Sequence, residues 1–237
     1  MDKHKFYKNG LRDGIPIFIG YLAVSFSFGI QAKKFGLSVL ESGFLSLSNL
    51  TSAGQFAGLT MMFGGATFLE IAISQIIINS RYLLMSGALS QKISPDESLP
   101  SRLLMAHGIT DEMFAMAISE PSTLSPYYYY GLMSAAIPGW VMGTVLGVLA
   151  GDLLPAPIID ALGIALYGML IAVIIPPAKN NKVVASLIIV SMTLSYAVDN
   201  IPMIKEISPS MMIIILTIII TTIAAYFFPI EEVDHEI

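Results

Sequence analysis

Apolar residues in this chain run in long blocks, broken by short clusters of Gly, Pro, Lys and Asp. They neither alternate, as in a half-buried strand, nor keep to one stripe, as in a helix of a soluble protein. A helix that crosses a bilayer needs roughly 20 mostly apolar residues. Blocks of about that length fall at Gly14–Ala32, Ser42–Phe63, Phe68–Leu89, Tyr127–Ala150, Ile158–Ile175, Val183–Val198 and Ser210–Phe228. Leu103–Ser119 is an eighth, weaker block, because it carries His107, Asp111 and Glu112. Lipid cannot solvate those side chains, so this segment either crosses while wrapped in other helices, re-enters, or lies at the interface. The pattern predicts an all-α integral membrane protein, a polytopic helical bundle of about seven or eight transmembrane segments.

The connections are short, and the longest, Gln91–Arg102, holds Ser94-Pro95-Asp96-Glu97 and reads as a solvated loop. No room is left for a separate soluble domain. Residues 1–237 therefore read as a single transmembrane domain, with a basic N-terminal segment over 1–13 and an acidic tail over 229–237. Met1–Arg12 is basic and precedes an apolar block, as in a signal peptide. Pro16 lies in that block, and Lys33-Lys34 stands where a small-residue cleavage site would be, so the segment is expected to remain as the first span. Gly10-Leu11 followed by Ile15-Pro16 returns as Gly131-Leu132 followed by Ile137-Pro138. Internal repeats of this kind, with helices broken by Gly or Pro, are common in transporters. The Lys and Arg distribution leans slightly towards a cytoplasmic N-terminus and an even number of spans.

Composition sharpens this. The chain is 55% hydrophobic and 12% charged, against about 25% charged in an ordinary soluble domain, and its mean hydropathy is +0.75. A formal net charge of −5 offers no basic surface for nucleic acid. With no Cys, disulfides, thiolate metal sites and Cys nucleophiles are excluded.

The chemistry lies in the polar residues inside the blocks. Arg81 sits near the centre of Leu69–Leu89. A cation at that depth is costly, and it normally faces a protein interior or an aqueous path where it finds a partner. Its guanidinium fork suits a carboxylate, which is either that of a substrate or an acid of this chain. In the same block Gln75, Asn79, Tyr82 and Ser86 recur on one helical face, with Glu70, Ser74 and Arg81 on another. Glu70 is about three turns from Arg81, too far for a direct pair. Thr110-Asp111-Glu112 supplies either the acid for Arg81 or a proton-carrying carboxylate. In the second block Ser48, Ser52 and Gln55 share a helical face, with Asn49 beside it. They serve as interhelical hydrogen-bonding groups or as part of a site, and Ser52-Ala53-Gly54 would let the helix unwind. Ala135, Gly139, Gly143, Gly147 and Gly151 recur every four residues, a ridge that lets another helix of this chain or of a second subunit approach closely. Tyr127 to Tyr130 read as an interfacial aromatic belt. Asp13, opening the first block, and Asp199-Asn200, closing another, read as helix-end features.

Four motifs in order resemble the AzlC-type family, the large subunits of bacterial branched-chain amino acid exporters named for azaleucine resistance. They are Gly10-Leu11-Arg12-Asp13-Gly14-Ile15-Pro16 with Gly20-Tyr21, then Ser52-Ala53-Gly54-Gln55-Phe56, then Asn79-Ser80-Arg81-Tyr82-Leu83-Leu84, then Ile109-Thr110-Asp111-Glu112-Met113-Phe114-Ala115. Tyr82 stands where the family often has His, and Gly54 where it has Ser. The resemblance implies a multi-pass protein of the bacterial cytoplasmic membrane that exports leucine, isoleucine or valine with a small hydrophobic AzlD-type subunit. It also implies coupling to an ion gradient, expected to be of protons, with no cofactor and no bound metal. No Gly-x-x-x-x-Gly-Lys-[Ser/Thr] stretch for ATP is present. Ser52, Gln55, Asn79, Arg81, Tyr82, Asp111 and Glu112 are the candidate substrate-binding or coupling residues, and no catalytic residues are expected. The competing reading is a non-transporting membrane scaffold or assembly subunit whose working surface is the glycine ridge.

Overall fold

In a computed structural model of the protein, residues 3–120, 123–151, 181–201 and 209–228 are described, together with isolated positions between 153 and 179. The expected span at Ile158–Ile175 lies almost wholly outside the described residues, and the tail at 229–237 entirely so. The helices are α1 Lys3–Lys34, α2 Val39–Ser48, α3 Ala53–Phe63, α4 Phe68–Asn79, α5 Arg81–Lys92, α6 Leu99–His107, α7 Asp111–Ile118, α8 Pro126–Ala150, α9 Lys182–Asp199 and α10 Pro209–Phe227. Among the described residues the one departure from helix-and-turn structure is an isolated bridge between Ile93 and Leu124. The chain divides into two compact units, residues 1–60 with 78–169, and residues 61–77 with 170–237.

The first unit is framed by α1 and α8, which lie side by side and run in the same direction. A methyl group at Gly10 would run into the Tyr128 carbonyl, and one at Gly131 into the Tyr7 carbonyl. Further along, Gly139 faces Phe18, Gly143 faces Leu22 and Ser25, Gly147 faces Phe26 and Gly29, and Gly151 faces Lys33. Residue numbers rise together on both helices, which is the signature of a parallel pair. The ridge therefore meets another helix of this same chain, and that helix contributes Gly10, Gly14 and Gly29 of its own. In lipid the hydrophobic effect does not press helices together, so close backbone approach and dense van der Waals contact must hold the pair. The two repeated motifs, around Gly10 and around Gly131, are the surfaces that face each other. Pro16 and Pro138 lie inside these helices, a placement that membrane helices tolerate.

Two of the expected spans are broken. Ser42–Phe63 is not one helix: α2 ends at Ser48 and α3 starts at Ala53. The turn between them is closed by Asn49 Oδ1, which accepts from Thr51 N at 3.2 Å and from Thr51 Oγ1 at 2.7 Å. Ser52 within it has φ 43°, a left-handed conformation that a residue with a side chain adopts only at a cost. Ser48, Ser52 and Gln55 consequently do not share a face. Phe68–Leu89 is likewise interrupted, with α4 ending at Asn79 and α5 starting at Arg81, so the two polar stripes are not continuous. Leu103–Ser119 becomes α6 and α7, separated by Gly108, Ile109 and Thr110.

Helix starts follow capping chemistry. Ser38 and Glu41 form a reciprocal box at α2, and Glu70 Oε2 accepts from Thr67 N at 2.8 Å at the start of α4. Glu70 is thus at least partly a helix-start residue. Asp13 lies inside α1, which begins ten residues earlier, and accepts from the Tyr128 hydroxyl at 3.2 Å. Asn200 caps α9, its side chain donating to Tyr196 O at 2.7 Å. The tyrosine belt is also corrected: Tyr129 is fully buried and donates to Gly108 O, Tyr130 bonds Ser101, and only Tyr127 stays exposed, beneath Lys3. Three of the four hold α1 and α6 to α8 instead of anchoring a headgroup. Exposed side chains such as Leu40 at 84% and Phe44 at 72% are suited to lipid.

In the second unit, α9 and α10 pack against each other. Asn181 starts α9 by accepting from Val183 N at 2.8 Å and Val184 N at 3.3 Å.

The close α1–α8 approach gives a direct test. Gly143→Val drives a side chain into Leu22 and Ser25, and is expected to cost about 1–3 kcal/mol, seen as a lower unfolding midpoint in detergent. Gly20→Ala, with nothing within 4 Å of the new methyl, is expected to be neutral or to stabilise by up to about 1 kcal/mol through helix propensity.

Candidate functional site

Two helix starts and the middle of α1 bring the chemistry together. Thr110 caps α7, its Oγ1 accepting from Met113 N at 3.3 Å, and this places Asp111 and Glu112 in the first turn. Carboxylates are favoured there by the unpaired N–H groups and the helix dipole. Arg81 is the first residue of α5 because the preceding helix ends at Asn79. Its Nη2 lies 3.0 Å from Asp111 Oδ2, with the two side chains 37% and 32% exposed. An ion pair that accessible contributes modestly to stability. The guanidinium also sits 5.2 Å from the centre of the Tyr82 ring, with a long 3.4 Å bond to its hydroxyl. Arg81 Nε is buried and makes no hydrogen bond. A guanidinium carries five donors in a planar fork, so this one retains capacity for a second acceptor.

The two neighbouring acids are held differently. Glu112 accepts from the Tyr21 hydroxyl at 2.5 Å, and that hydroxyl also lies 2.7 Å from Thr110 Oγ1. Tyr21 comes from the middle of α1 and is almost fully buried. Asp111 faces a cation, whereas the closest described partner of Glu112 is a neutral phenol.

Beyond Tyr21 the polar chain continues inwards. The Tyr21 ring meets Trp140 of α8 edge-on at 5.3 Å between centroids. Trp140 Nε1 donates to Gln55 Oε1 at 2.8 Å, and Gln55 Nε2 donates to Ser46 Oγ at 2.7 Å. Ser46 shares a 2.7 Å bond with Thr144 Oγ1, which donates to Trp140 O at 3.1 Å. Trp140, Gln55, Ser46 and Thr144 are each buried to 1% exposure or less. A fully satisfied polar network in a low-dielectric interior fixes one arrangement of its helices.

The candidate residues are therefore brought together only in part. Arg81, Tyr82, Asp111 and Glu112 are brought together. Gln55 lies in the buried network with both ends of its amide engaged. Ser52 is in the turn before α3, and Asn79 ends α4 two residues before Arg81. Gly139, Gly143, Gly147 and Gly151 line the α1 contact. His107 is exposed at the end of α6. No group of three or more His, Cys, Asp or Glu suited to a metal occurs among the described residues. Sequence reasoning did not single out Trp140, Thr144 or Ser46, and reached Tyr21 only through a resemblance. One signal for Trp140 was available: it is the chain's single Trp, placed in mid-block instead of at an interface.

Comparison with known proteins gives this geometry a family. The model of the AzlC protein family matches residues 16–154. The chain belongs to the AzlC family. That match takes in the whole of the Tyr21–Arg81–Asp111–Glu112 cluster and the Trp140 network. An uncharacterized membrane protein of Archaeoglobus fulgidus is 30% identical over 78% of this chain and 82% of its own. The inner membrane protein YgaZ of Escherichia coli is 31% identical over 62% of this chain and 61% of its own. An uncharacterized membrane protein of Helicobacter pylori is 24% identical over 62% of this chain and 65% of its own. No solved structure matches the chain. AzlC relatives are membrane proteins, and the family is one of membrane transport, not of enzymes.

The buried network yields a prediction. Gln55→Leu leaves the Trp140 indole N–H without its acceptor and Ser46 without a donor. The expected loss of stability is roughly 1–3 kcal/mol, measured by thermal unfolding in detergent.

Proposed function

We propose that this AzlC-family protein is a secondary transporter of a bacterial cytoplasmic membrane that exports branched-chain amino acids in exchange with an ion gradient, expected to be of protons. The observation that carries this reading is the Arg81–Asp111 pair at the starts of α5 and α7, with Glu112 and the mid-α1 Tyr21 beside it. An amino acid brings one carboxylate and one ammonium. Arg81 keeps unused donors, including the buried Nε, and can take the substrate carboxylate while Asp111 or Glu112 takes the ammonium. Exchange of Arg81 between Asp111 and a substrate carboxylate replaces one ion pair by another, so neither charge is left bare in a low-dielectric site. Tyr82, partly exposed beside Arg81, supplies apolar surface for an aliphatic side chain. Glu112, held by a phenol, is the group assigned to carry a proton, and an AzlD-type small subunit is the expected partner.

The scaffold reading loses its main support, because the glycine ridge is already occupied by α1.

The test is leucine binding and counterflow in proteoliposomes containing the partner subunit. A charge-assisted hydrogen bond contributes about 1.5–3 kcal/mol, so Arg81→Met is expected to weaken leucine binding by about 10- to 150-fold. Arg81→Lys is expected to recover little, because an ammonium cannot fork onto a carboxylate. Unchanged binding by a folded Arg81→Met protein would reject the carboxylate role.

A further inference from the structure

The contacts of the first unit fix the direction of its short helices relative to α1. Helix α2 begins five residues after α1 ends, next to the last turn of α1, where Leu37 N bonds Ala32 O at 3.0 Å. It then runs back along α8, with Ser46 against Thr144. After the Asn49–Ser52 turn, Gln55 bonds back to Ser46, so α3 lies beside α2. The Phe56 ring meets Phe28 at 5.1 Å, and Thr60 Oγ1 accepts from Gln31 Nε2 at 3.2 Å. Both ends of the α2–α3 pair thus lie at the C-terminal end of α1, and its turn points to the middle.

The α6–α7 pair is the mirror case. Ser101 bonds Tyr130, and Gly108 O accepts from Tyr129, near the start of α8. Thr110 and Glu112 reach Tyr21 at the middle of α1. Helix α7 then returns: Lys92 Nζ, at the end of α5, donates to the Ile118 carbonyl at 2.6 Å and to that of Glu120. Leu124 N bonds Lys92 O at 2.7 Å just before α8 begins. Both ends of this pair lie beside the N-terminal ends of α1 and α8. Helices of 8 to 11 residues at about 1.5 Å per residue reach only halfway across a hydrocarbon core of about 30 Å.

We infer that α2–α3 and α6–α7 are re-entrant hairpins that enter the membrane from opposite faces, an inverted repeat whose turns are joined through the Tyr21–Trp140 contact, and that this contact is the barrier between the two sides. The sequence register agrees. Lys34 and Lys92, Ser52 and Thr110, Ala53 and Asp111, and Phe56-Ala57 and Phe114-Ala115 are each 58 positions apart. Ser52 immediately precedes α3 as Thr110 immediately precedes α7. The positive ends of both half-helices face mid-membrane, an arrangement by which transporters receive charged substrates away from lipid. Trp140 ties to Gln55 in one hairpin, and Tyr21 ties to Thr110 and Glu112 in the other. A shift of either hairpin must therefore pass through the two rings. The barrier assignment rests on the transport reading, whereas the hairpin arrangement does not.

The chain has no Cys, so single-Cys variants of the full protein in sealed, oriented membrane vesicles report accessibility directly. With a membrane-impermeant maleimide, Lys34→Cys and Thr60→Cys are expected to label from one face, and Asp96→Cys and Thr123→Cys from the other. Labelling of Lys34→Cys and Thr60→Cys from opposite faces, or of all four from one face, would overturn the inverted hairpins. For the barrier, Asn49→Cys is expected to react with a small impermeant thiosulfonate only from the Lys34 side, and His107→Cys only from the Asp96 side. Equal reaction of either from both faces would overturn the barrier. None of these readouts needs leucine transport, so a failed counterflow assay and a failed topology are separate results.

Discussion

The first unit depends on how closely α1 and α8 approach. Glycines on both helices let the backbones touch, and a Cβ at most of these positions would strike the opposing main chain. In lipid no solvent force compensates for a looser fit, so contact density has to hold the pair. The parallel frame so formed sets Tyr21 and Trp140 against each other at mid-depth. Tyr21 in turn holds Thr110 and Glu112, and Trp140 holds Gln55.

Around this frame the chain uses interrupted helices for its chemistry. A continuous membrane helix satisfies its own backbone and offers a ligand only side chains. A helix that starts inside the fold presents unpaired N–H groups and can stabilise acids there. Asp111 and Glu112 occupy such a start, and Arg81 occupies the start of α5. The ion pair between them is partly exposed and uses only part of the guanidinium's capacity, which suits a contact that is made and released. The Trp140–Gln55–Ser46–Thr144 network is buried, and each of its side chains has a hydrogen-bond partner within it. One cluster keeps unused donor capacity, and the other holds α3 to α2 and α8.

Much of this was legible along the chain. A long apolar block with one arginine at its centre identifies a membrane protein with a charge that needs a partner, whatever the fold. Asp111 and Glu112 were recognisable as partners because few other acids lie within apolar blocks. The four-residue glycine spacing marked a close helix contact, since only glycine leaves room for another backbone. Hydropathy alone did not show where the helices break. Ser42–Phe63 and Leu103–Ser119 have the length of a span or nearly so, but length cannot distinguish one crossing helix from two half-length helices with a turn between them.

By itself the sequence determined the all-helical membrane class, the need for Arg81 to be neutralised and the presence of a glycine contact face. These follow from local quantities: transfer free energy, charge and side-chain size. Only the tertiary structure decided that the ridge belongs to α1, that Asp111 and not Glu112 lies against Arg81, and that Gln55 serves Trp140. Each of those outcomes depends on the direction in which a helix leaves a turn. A few backbone dihedrals at Asn49–Ser52 and Gly108–Thr110 set that direction, and the packing of distant helices selects among values that the local sequence permits almost equally.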